Sequence, residues 1–139
     1  MPAIANIVIA DGQPTPVNRT FAPLGVSSDL VATYENRSTG IQVGYDTLSI
    51  GFRRANGKSH NNKLTLKLSL PILEVTSPAT SSGIQPQPTR AYSCDVFVDF
   101  VCSDRSSVQD RKNLVTLLRN ALVASGVLDT CVQNLESVY

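Results

Sequence analysis

The feature that most constrains this chain is a pair of alternating runs between Thr47 and Leu70, TLSIGFRRANGKSHNNKLTLKLSL. Apolar residues hold one parity on both sides of a polar segment, while hydroxyl and basic residues hold the other. Because successive side chains on a strand point to opposite faces, the pattern predicts a β-hairpin with one apolar and one polar face. Asn56-Gly57 lies in the turn, where a positive φ costs little, although the Ala55–Asn62 loop exceeds two residues.

The polar face of this hairpin concentrates positive charge. Five of the chain's twelve Lys and Arg residues lie between positions 47 and 73, a segment without any acid, in a chain of net charge +1. One interpretation is a lysine-rich strand face exposed to water. The other is a surface that meets phosphate, with hydroxyls between the cations to contact bases or sugars. The five cations are Arg53, Arg54, Lys58, Lys63 and Lys67.

Length and composition indicate one globular domain over residues 1–139, large enough for a real core. Apolar runs are too short for a membrane span, and the N-terminal segment lacks the pattern of a secretion signal. The three cysteines are odd in number and have no paired spacing, which predicts reduced, buried thiols in a cytosolic setting, with neither disulfides nor a metal site. These cysteines are Cys94, Cys102 and Cys131.

Other alternating or apolar runs predict further strands before the period changes, about seven in total. Pro23 is expected to end the second run early or confine it to an edge. The proline- and serine-rich segment Thr76–Thr89 is predicted to be a surface loop. The individual strand predictions are Ile4–Ala10, Val17–Val26, Leu30–Glu35, Ile41–Phe52, Lys63–Val75 and Ala91–Cys102.

The last third of the chain has helical periodicity. Ser107 and Asp110 have the spacing of a helix N-cap with an acidic capping box, and a leucine stripe follows. Gly126 is expected to end this helix in the left-handed conformation. A shorter stripe from Leu128 to Leu135 predicts a second helix. The fold class is therefore α+β, with terminal helices whose apolar stripes must cover a sheet face, most simply the apolar face of the hairpin.

Catalytic chemistry is not predicted. The single histidine, His60, has no acid or cysteine near it in the sequence, and no phosphate-binding, nucleophile or metal-ligand motif is present. Asp95 and Asp99 share a strand face, and the simplest account is solvation or an ion pair with Arg90 or Arg105. The sequence therefore favours a binding or structural protein that has no cofactor and is not an enzyme.

The predicted elements occur in the order N-terminal hairpin, five-stranded meander, two helices. Three sequence segments accompany this order: Lys63–Pro71 (KLTLKLSLP), Arg90-Ala91-Tyr92 and a Ser137-Val138-Tyr139 ending. In this combination the chain resembles the coat proteins of small icosahedral single-stranded RNA bacteriophages, the leviviruses. The resemblance implies a homodimer in which each chain's helices pack on its partner. It also implies an icosahedral T=3 virion shell, assembled in the cytoplasm of a bacterial host without a membrane partner. The loop Thr76–Thr89 then lies at contacts between dimers, and its lack of cysteine predicts no disulfide-linked capsomers.

The resemblance further implies that the polar face binds the viral genome and one operator stem-loop, which represses replicase translation and marks the genome for packaging. Gly51 departs from the pattern, since a hydroxyl would help there. Tyr92 is expected to stack on a base if a bulge near Ser93 turns it toward RNA, and to face the helices otherwise. The alternative function is a non-capsid RNA-binding β-sheet module. The implied RNA-binding residues are Thr47, Ser49, Arg53, Asn61, Lys63, Thr65, Lys67, Ser69 and Tyr92.

Overall fold

A computed structural model describes residues 3–75 and 86–138. It confirms the α+β class, with six strands in one sheet in the order β1 to β6 and two helices at the end of the chain. Within these ranges no helix is long and apolar enough to cross a membrane. The elements are β1 Ile7–Ala10, β2 Asn18–Val26, β3 Val31–Asn36, β4 Asp46–Arg53, β5 Asn61–Leu73, β6 Arg90–Ser103, α1 Val108–Ala121 and α2 Val127–Asn134.

The sheet has six strands where about seven were predicted, because β2 serves twice. It is the hairpin partner of β1, with Ile7 opposite Phe21, and it is also the first strand of the meander, paired with β3. Pro23 does not end β2. It lies beyond the segment that pairs with β1, and a register shift between Pro23 and Gly25 accommodates it, as β-bulges do.

The fourth strand begins later than the sequence predicts. A 3₁₀ turn at Gln42–Gly44 precedes it, and β4 starts at Asp46. At Gly44 an added Cβ would lie 2.9 Å from the side chain of Leu73, so glycine is needed for this close approach. The predicted loop falls mainly outside the described residues; positions 86–89 are exposed and lack regular structure.

The central hairpin is confirmed, but its turn works differently from the prediction. Asn56 and Ser59 exchange backbone hydrogen bonds of 2.8 and 3.0 Å. The Asn56 side-chain oxygen also accepts a hydrogen bond from the Lys58 amide at 3.0 Å. Neither Asn56 nor Gly57 has a positive φ, so the expected left-handed turn is wrong. The asparagine side chain stabilises the reversal instead.

The core is small and lies on the apolar face of the sheet. Among the described residues its buried apolar members are Phe21, Tyr34 and Leu48, from three adjacent strands. The chain divides into two compact units, residues 1–101 and 102–139, each held together by its own contacts. Partly buried residues that pack on the core are Ile7, Ala32, Ile50, Leu66 and Leu68.

The cysteines are free thiols, but the prediction that they are buried is wrong for the single chain. Cys94 is exposed, while Cys102 and Cys131 are half-buried. Cys94 lies on β6, which is the last strand in the sheet order and has a strand neighbour on one side only. Its exposure follows from this edge position.

An ionic group, here called the Arg19 cluster, lies on the same side of the sheet as the core. The Arg19 guanidinium is 2.9 Å from Asp46 Oδ2 and 3.4 Å from Asp11 Oδ2. Asn36 donates a second hydrogen bond to Asp46 Oδ2 at 2.9 Å, and both Asn36 and Asp46 are buried. The Asp46 hydrogen bond is the main cause that raises the pKa of Arg19. A hydrogen bond from the Val17 amide is the main cause that lowers the pKa of Asp11.

The first helix starts as predicted. Ser107 Oγ accepts a hydrogen bond from the Asp110 amide at 3.1 Å, and Asp110 Oδ2 accepts one from the Ser107 amide at 2.9 Å. These bonds complete a capping box, and the Ser107 hydrogen bonds are the main cause that lowers the pKa of Asp110. No residue in either helix is buried, so both apolar stripes remain uncovered in the single chain.

The predicted end of this helix is wrong in its detail. Ser125, with φ of 63°, takes the left-handed conformation that was expected of Gly126. Gly126 instead is the N-cap of α2, with φ of −74°. A Cβ there would lie 2.9 Å from the Val123 carbonyl oxygen, so lack of a side chain is what this position requires.

Candidate nucleic-acid interface

The β4–β5 register assembles the predicted RNA-facing residues on one surface. Thr47 is opposite Ser69, Ser49 is opposite Lys67, and Arg53 is opposite Lys63. Thr65 is opposite Gly51, on the same parity. Asn61 begins β5 and is exposed. The name cationic face is used below for Thr47, Ser49, Arg53, Lys63, Thr65, Lys67 and Ser69.

Positive charges on the cationic face oppose one another. Arg53 and Lys63 are directly paired across the two strands, and Lys67 follows further along β5 on the same parity. Like charges directly opposite each other destabilise a sheet. Within the described ranges, no ion pair is found for Arg53 or Lys67. The surface therefore keeps an uncompensated positive potential that attracts anions.

Asp99 of β6 is the acidic residue that contacts this face. Its Oδ2 lies 2.9 Å from Lys63 Nζ, and its Oδ1 accepts a hydrogen bond from Thr65 Oγ1 at 2.7 Å. The Thr65 hydrogen bond, followed by the Lys63 contact, lowers the pKa of Asp99. For Asp99 the predicted pairing with Arg90 or Arg105 is wrong, whereas Asp95 is exposed, as the solvation alternative has it. Strand β5 lies beside β6 and brings Lys63 and Thr65 to Asp99 from across the strand pair, whereas Arg90 lies nine residues away on the same strand.

Phe97 is a second residue of this surface that the sequence analysis did not select. Lys67 Nζ lies 5.1 Å from the centre of the Phe97 ring, which is within cation–π range. Phe97 is nevertheless 65% exposed. The alternation of β6 gives Phe97 the parity of Asp99, and that is the sequence signal that could have identified it.

The departure at Gly51 has a steric cause. A Cβ at Gly51 would lie 3.3 Å from Val31 Cγ2, tighter than an ordinary van der Waals contact. Val31, directly opposite on β3, therefore fills the space where a hydroxyl would stand. A shallow concavity forms around this pair; its lining includes Asp29, Val31, Ser49, Gly51, Phe52, Arg53, Lys63 and Thr65.

Tyr92 lies near the start of β6 and is 59% exposed. Simple alternation from Phe97 would put the two aromatic residues on opposite faces. A β-bulge between them would bring the two rings to the same face. The Glu74 amide donates to the Thr89 carbonyl at 2.8 Å, just beyond the ends of β5 and β6.

Among the described residues there is no group of His, Cys, Asp or Glu that could hold a metal ion.

The fold is that of a viral shell protein. It superposes on the virus-like particle of bacteriophage ESE058 with a TM-score of 0.88 and 35% identity, covering 99% of this chain and 100% of that one. It also matches the fold of an unassembled virus coat protein dimer, described as a bacteriophage RNA-binding dimer, with a TM-score of 0.68 and 16% identity over 98% of both chains.

The sequence agrees with this class. The family model for the levivirus coat protein matches residues 2–139. The capsid protein of Pseudomonas phage PRR1 is 33% identical over 138 residues, which are 98% of each chain. The chain therefore belongs to the levivirus coat protein family, and it is a capsid protein of the virion, a structural role. This membership decides between the two predicted functions in favour of the capsid protein.

Proposed function

We propose that the chain forms a homodimer, that dimers assemble an icosahedral shell in the bacterial cytoplasm, and that the cationic face binds the viral RNA genome. On this proposal, binding of one operator stem-loop represses replicase translation and marks the genome for packaging. The observation that carries the RNA role is the uncompensated charge of the cationic face, where Arg53 opposes Lys63. Two cross-strand cations gain from a phosphate between them, which offsets the repulsion they cause in the free protein.

The dimer is supported by how little apolar surface the single chain buries. The buried apolar side chains within the described ranges are few, Phe21, Tyr34 and Leu48 in the core and Pro71 on β5, and neither helix has a buried residue. Exposed apolar area of this extent marks an interaction surface. We expect the two compact units to complete one domain, residues 1–139, only in an obligate dimer with an interface above roughly 2,000 Å².

Leu118→Asp tests this dimer. Leu118 belongs to the apolar stripe of α1 that the partner is proposed to cover, and a charge placed there would have no partner in the interface. We expect no soluble dimer from this variant, while Thr116→Asp, at an exposed polar position on the opposite side of the same helix, serves as the control for added charge. Analytical sedimentation at micromolar concentration is the measurement. A stable wild-type monomer would overturn the dimer proposal.

The shell contacts are proposed to involve the loop Thr76–Thr89. Its described part, residues 86–89, packs into no core. Shortening the loop should therefore leave dimers folded while it blocks or alters assembly. Electron microscopy of the deletion variant checks this, and normal particles of unchanged size and thermal stability would contradict it.

Within the RNA role, we propose a division between positioning and reading. Lys67 and Arg53 contact phosphate, while Thr65 and Ser49 contact bases or sugars, since hydroxyls both donate and accept. Thr47, Ser69, Lys63 and Asn61 form the margin and the flank. Tyr92 stacks on an unpaired base, which requires the β-bulge to lie between Tyr92 and Phe97. What supports the role of Tyr92 is that it is 59% exposed near the start of β6, the strand that also carries Asp99 beside the cationic face.

Filter binding across a salt series tests the division. The RNA is the stem-loop recovered from purified particles by sequencing, compared with a scrambled hairpin. Lys67→Ala should weaken binding to both and reduce the slope of log K against log salt by about 1. Thr65→Ala should keep the slope and cost about 1–3 kcal/mol of preference for the cognate hairpin.

Lys112→Ala on α1 is the control for loss of one positive charge, and it should not change the slope of cognate binding. Equal losses by Lys67→Ala and Thr65→Ala on both hairpins would reduce the face to a charged lining without specificity. If neither variant loses affinity, RNA does not bind the cationic face.

A further inference from the structure

We infer that Phe97 and Lys67 together form a base-stacking site for one unpaired nucleotide, in addition to the role proposed for Tyr92. The inference rests on the proposed RNA function and adds a ligand subsite to it. Two observations carry it: the Lys67 ammonium lies 5.1 Å from the Phe97 ring centre, and the phenylalanine remains 65% exposed.

The exposed Phe97 ring leaves apolar surface in contact with water, and the single chain does not cover it. Phe97 projects from β6 on the parity of Asp99, whose carboxylate contacts Lys63 and Thr65 of the cationic face. On its own strand its neighbours of the same parity are the carboxylates Asp95 and Asp99, and across the strand pair it meets the Lys67 ammonium. It is not part of the buried core cluster. An exposed ring beside a cation is the combination found in single-strand nucleic-acid sites, where aromatics stack on bases and cations hold the backbone.

The geometry also suggests how the two side chains divide the nucleotide. The Lys67 ammonium covers part of the ring in the free protein, at a distance that holds the ring in place. A base that stacks on the ring brings its own phosphate, and Lys67 is long enough to move to that phosphate while its stem stays beside the ring. Any base can occupy such a site, because each has a π-face, so the expected ligand is an unpaired nucleotide without strong sequence preference.

The test compares two short RNA strands with the same backbone, one with a base at every position and one abasic at several adjacent positions. Phe97→Leu keeps apolar volume and removes the π-face. It should lose roughly 5- to 150-fold in affinity for the strand with bases, the usual effect of one stacking contact, and nothing for the abasic strand. Phe97→Tyr should retain wild-type affinity. Lys67→Ala should weaken binding to both strands, because it removes a phosphate contact.

A spectroscopic readout adds evidence independent of affinity. The chain contains no tryptophan, so Phe97→Trp introduces a single indole. Its fluorescence should be quenched by the strand with bases and not by the abasic strand. Phe52, which is 41% exposed and on the opposite parity of β4, supplies the matched control, and Phe52→Leu and Phe52→Trp should show neither effect.

Three outcomes would overturn the inference. If wild type binds RNA but Phe97→Leu binds both strands as well as wild type, the stacking site does not exist, although the RNA function stands. If Phe97→Leu changes dimer or particle stability and not RNA binding, the ring contacts protein. If wild-type dimers bind neither strand at low salt, the proposed RNA function fails, and the stacking site fails with it.

Discussion

The Arg19 cluster and the cationic face handle charge in opposite ways, although β4 contributes to both. In the first, one guanidinium meets two carboxylates, and the buried Asp46 also accepts a hydrogen bond from Asn36. In the second, Lys63 is the one of three cations with an ion pair among the described residues, to Asp99. The difference concerns which charges have partners. Both carboxylates of the Arg19 cluster contact the guanidinium, whereas Arg53 and Lys67 of the cationic face have no ion pair within the described ranges.

The largest expected effect on stability comes from a substitution in the Arg19 cluster. Arg19→Met leaves the buried Asp46 without its cation, and loss of one partner of a buried pair should reduce the free energy of unfolding by about 3 kcal/mol. This is the low end of the range for such a change, because the Arg19 side chain is 38% exposed. Urea denaturation of the purified protein measures the effect.

Arg37→Met is the matched control, because Arg37 pairs with Glu35 at the surface and its side chain is 58% exposed. A surface pair of this kind contributes about 0–1 kcal/mol. Equal losses by the two variants would show that the Arg19 cluster is no more structural than a surface ion pair.

Low pH should reduce the stability that both regions contribute, because carboxyl groups in both have lowered pKa values in the folded chain. The pKa values of Asp11 and Asp99 are below the ordinary value of 3.8 in the folded chain, so the unfolded chain binds protons more readily. Their contribution to stability is complete above pH 3.8 and is lost as the pH falls through the folded values. Urea midpoints at pH 5, 4 and 3 should therefore decrease in order.

Asp11→Asn separates the carboxyl groups. Its deficit in urea midpoint relative to wild type should be present at pH 5 and should shrink toward pH 3, because below pH 3.8 the unfolded wild-type chain takes up the proton before the folded chain does. A deficit that stays constant over this range would mean that Asp11 acts through its shape and not through its charge.

Asp99→Asn should sharpen the comparison from the side of the cationic face. The change frees the Lys63 ammonium from its carboxylate, so phosphate no longer competes with Asp99 for it. We expect several-fold tighter binding of scrambled RNA and a salt slope that is larger by about 1. Glu136→Gln makes the same change in net charge within the unit of residues 102–139 and should not alter the slope. Identical slopes for wild type and Asp99→Asn would show that Lys63 does not contact phosphate.

The smallest effect is expected from Arg53→Met. Because Arg53 opposes Lys63 and has no ion pair within the described ranges, its loss relieves repulsion in the free protein. The free energy of unfolding should stay within about 0.5 kcal/mol of wild type or rise, even as RNA affinity falls. A clear loss of stability would contradict the view that the face is uncompensated.

A structural feature could be predicted from the sequence when the residues that determine it lie close together in the chain. The central hairpin follows from parity alone, and the start of α1 follows from Ser107 and Asp110, three residues apart. The late start of β4 could not be predicted, because it depends on clearance between Gly44 and Leu73, far apart in the chain.

The candidate site divides in the same way. The cationic face lies on two strands joined by a short connection, so its members could be chosen from spacing. Asp99 and Phe97 reach it from β6, and their register against β5 depends on the long segment Thr76–Thr89 between the two strands. Parity within β6 showed that these two residues share a face; it did not show which strand they would meet.

The strand order has a consequence for how the chain folds. Because the sheet order follows the chain order from β1 to β6, each strand pairs with the one made just before it. Pairing between strands that are adjacent in the sequence has a low entropic cost of loop closure. Chains dominated by such local pairings fold faster than chains whose strands pair with distant ones. During synthesis β4 can pair with β3 before β5 has been made, so only one growing sheet edge is open at any moment. The helices are synthesised last, after all six strands of the sheet.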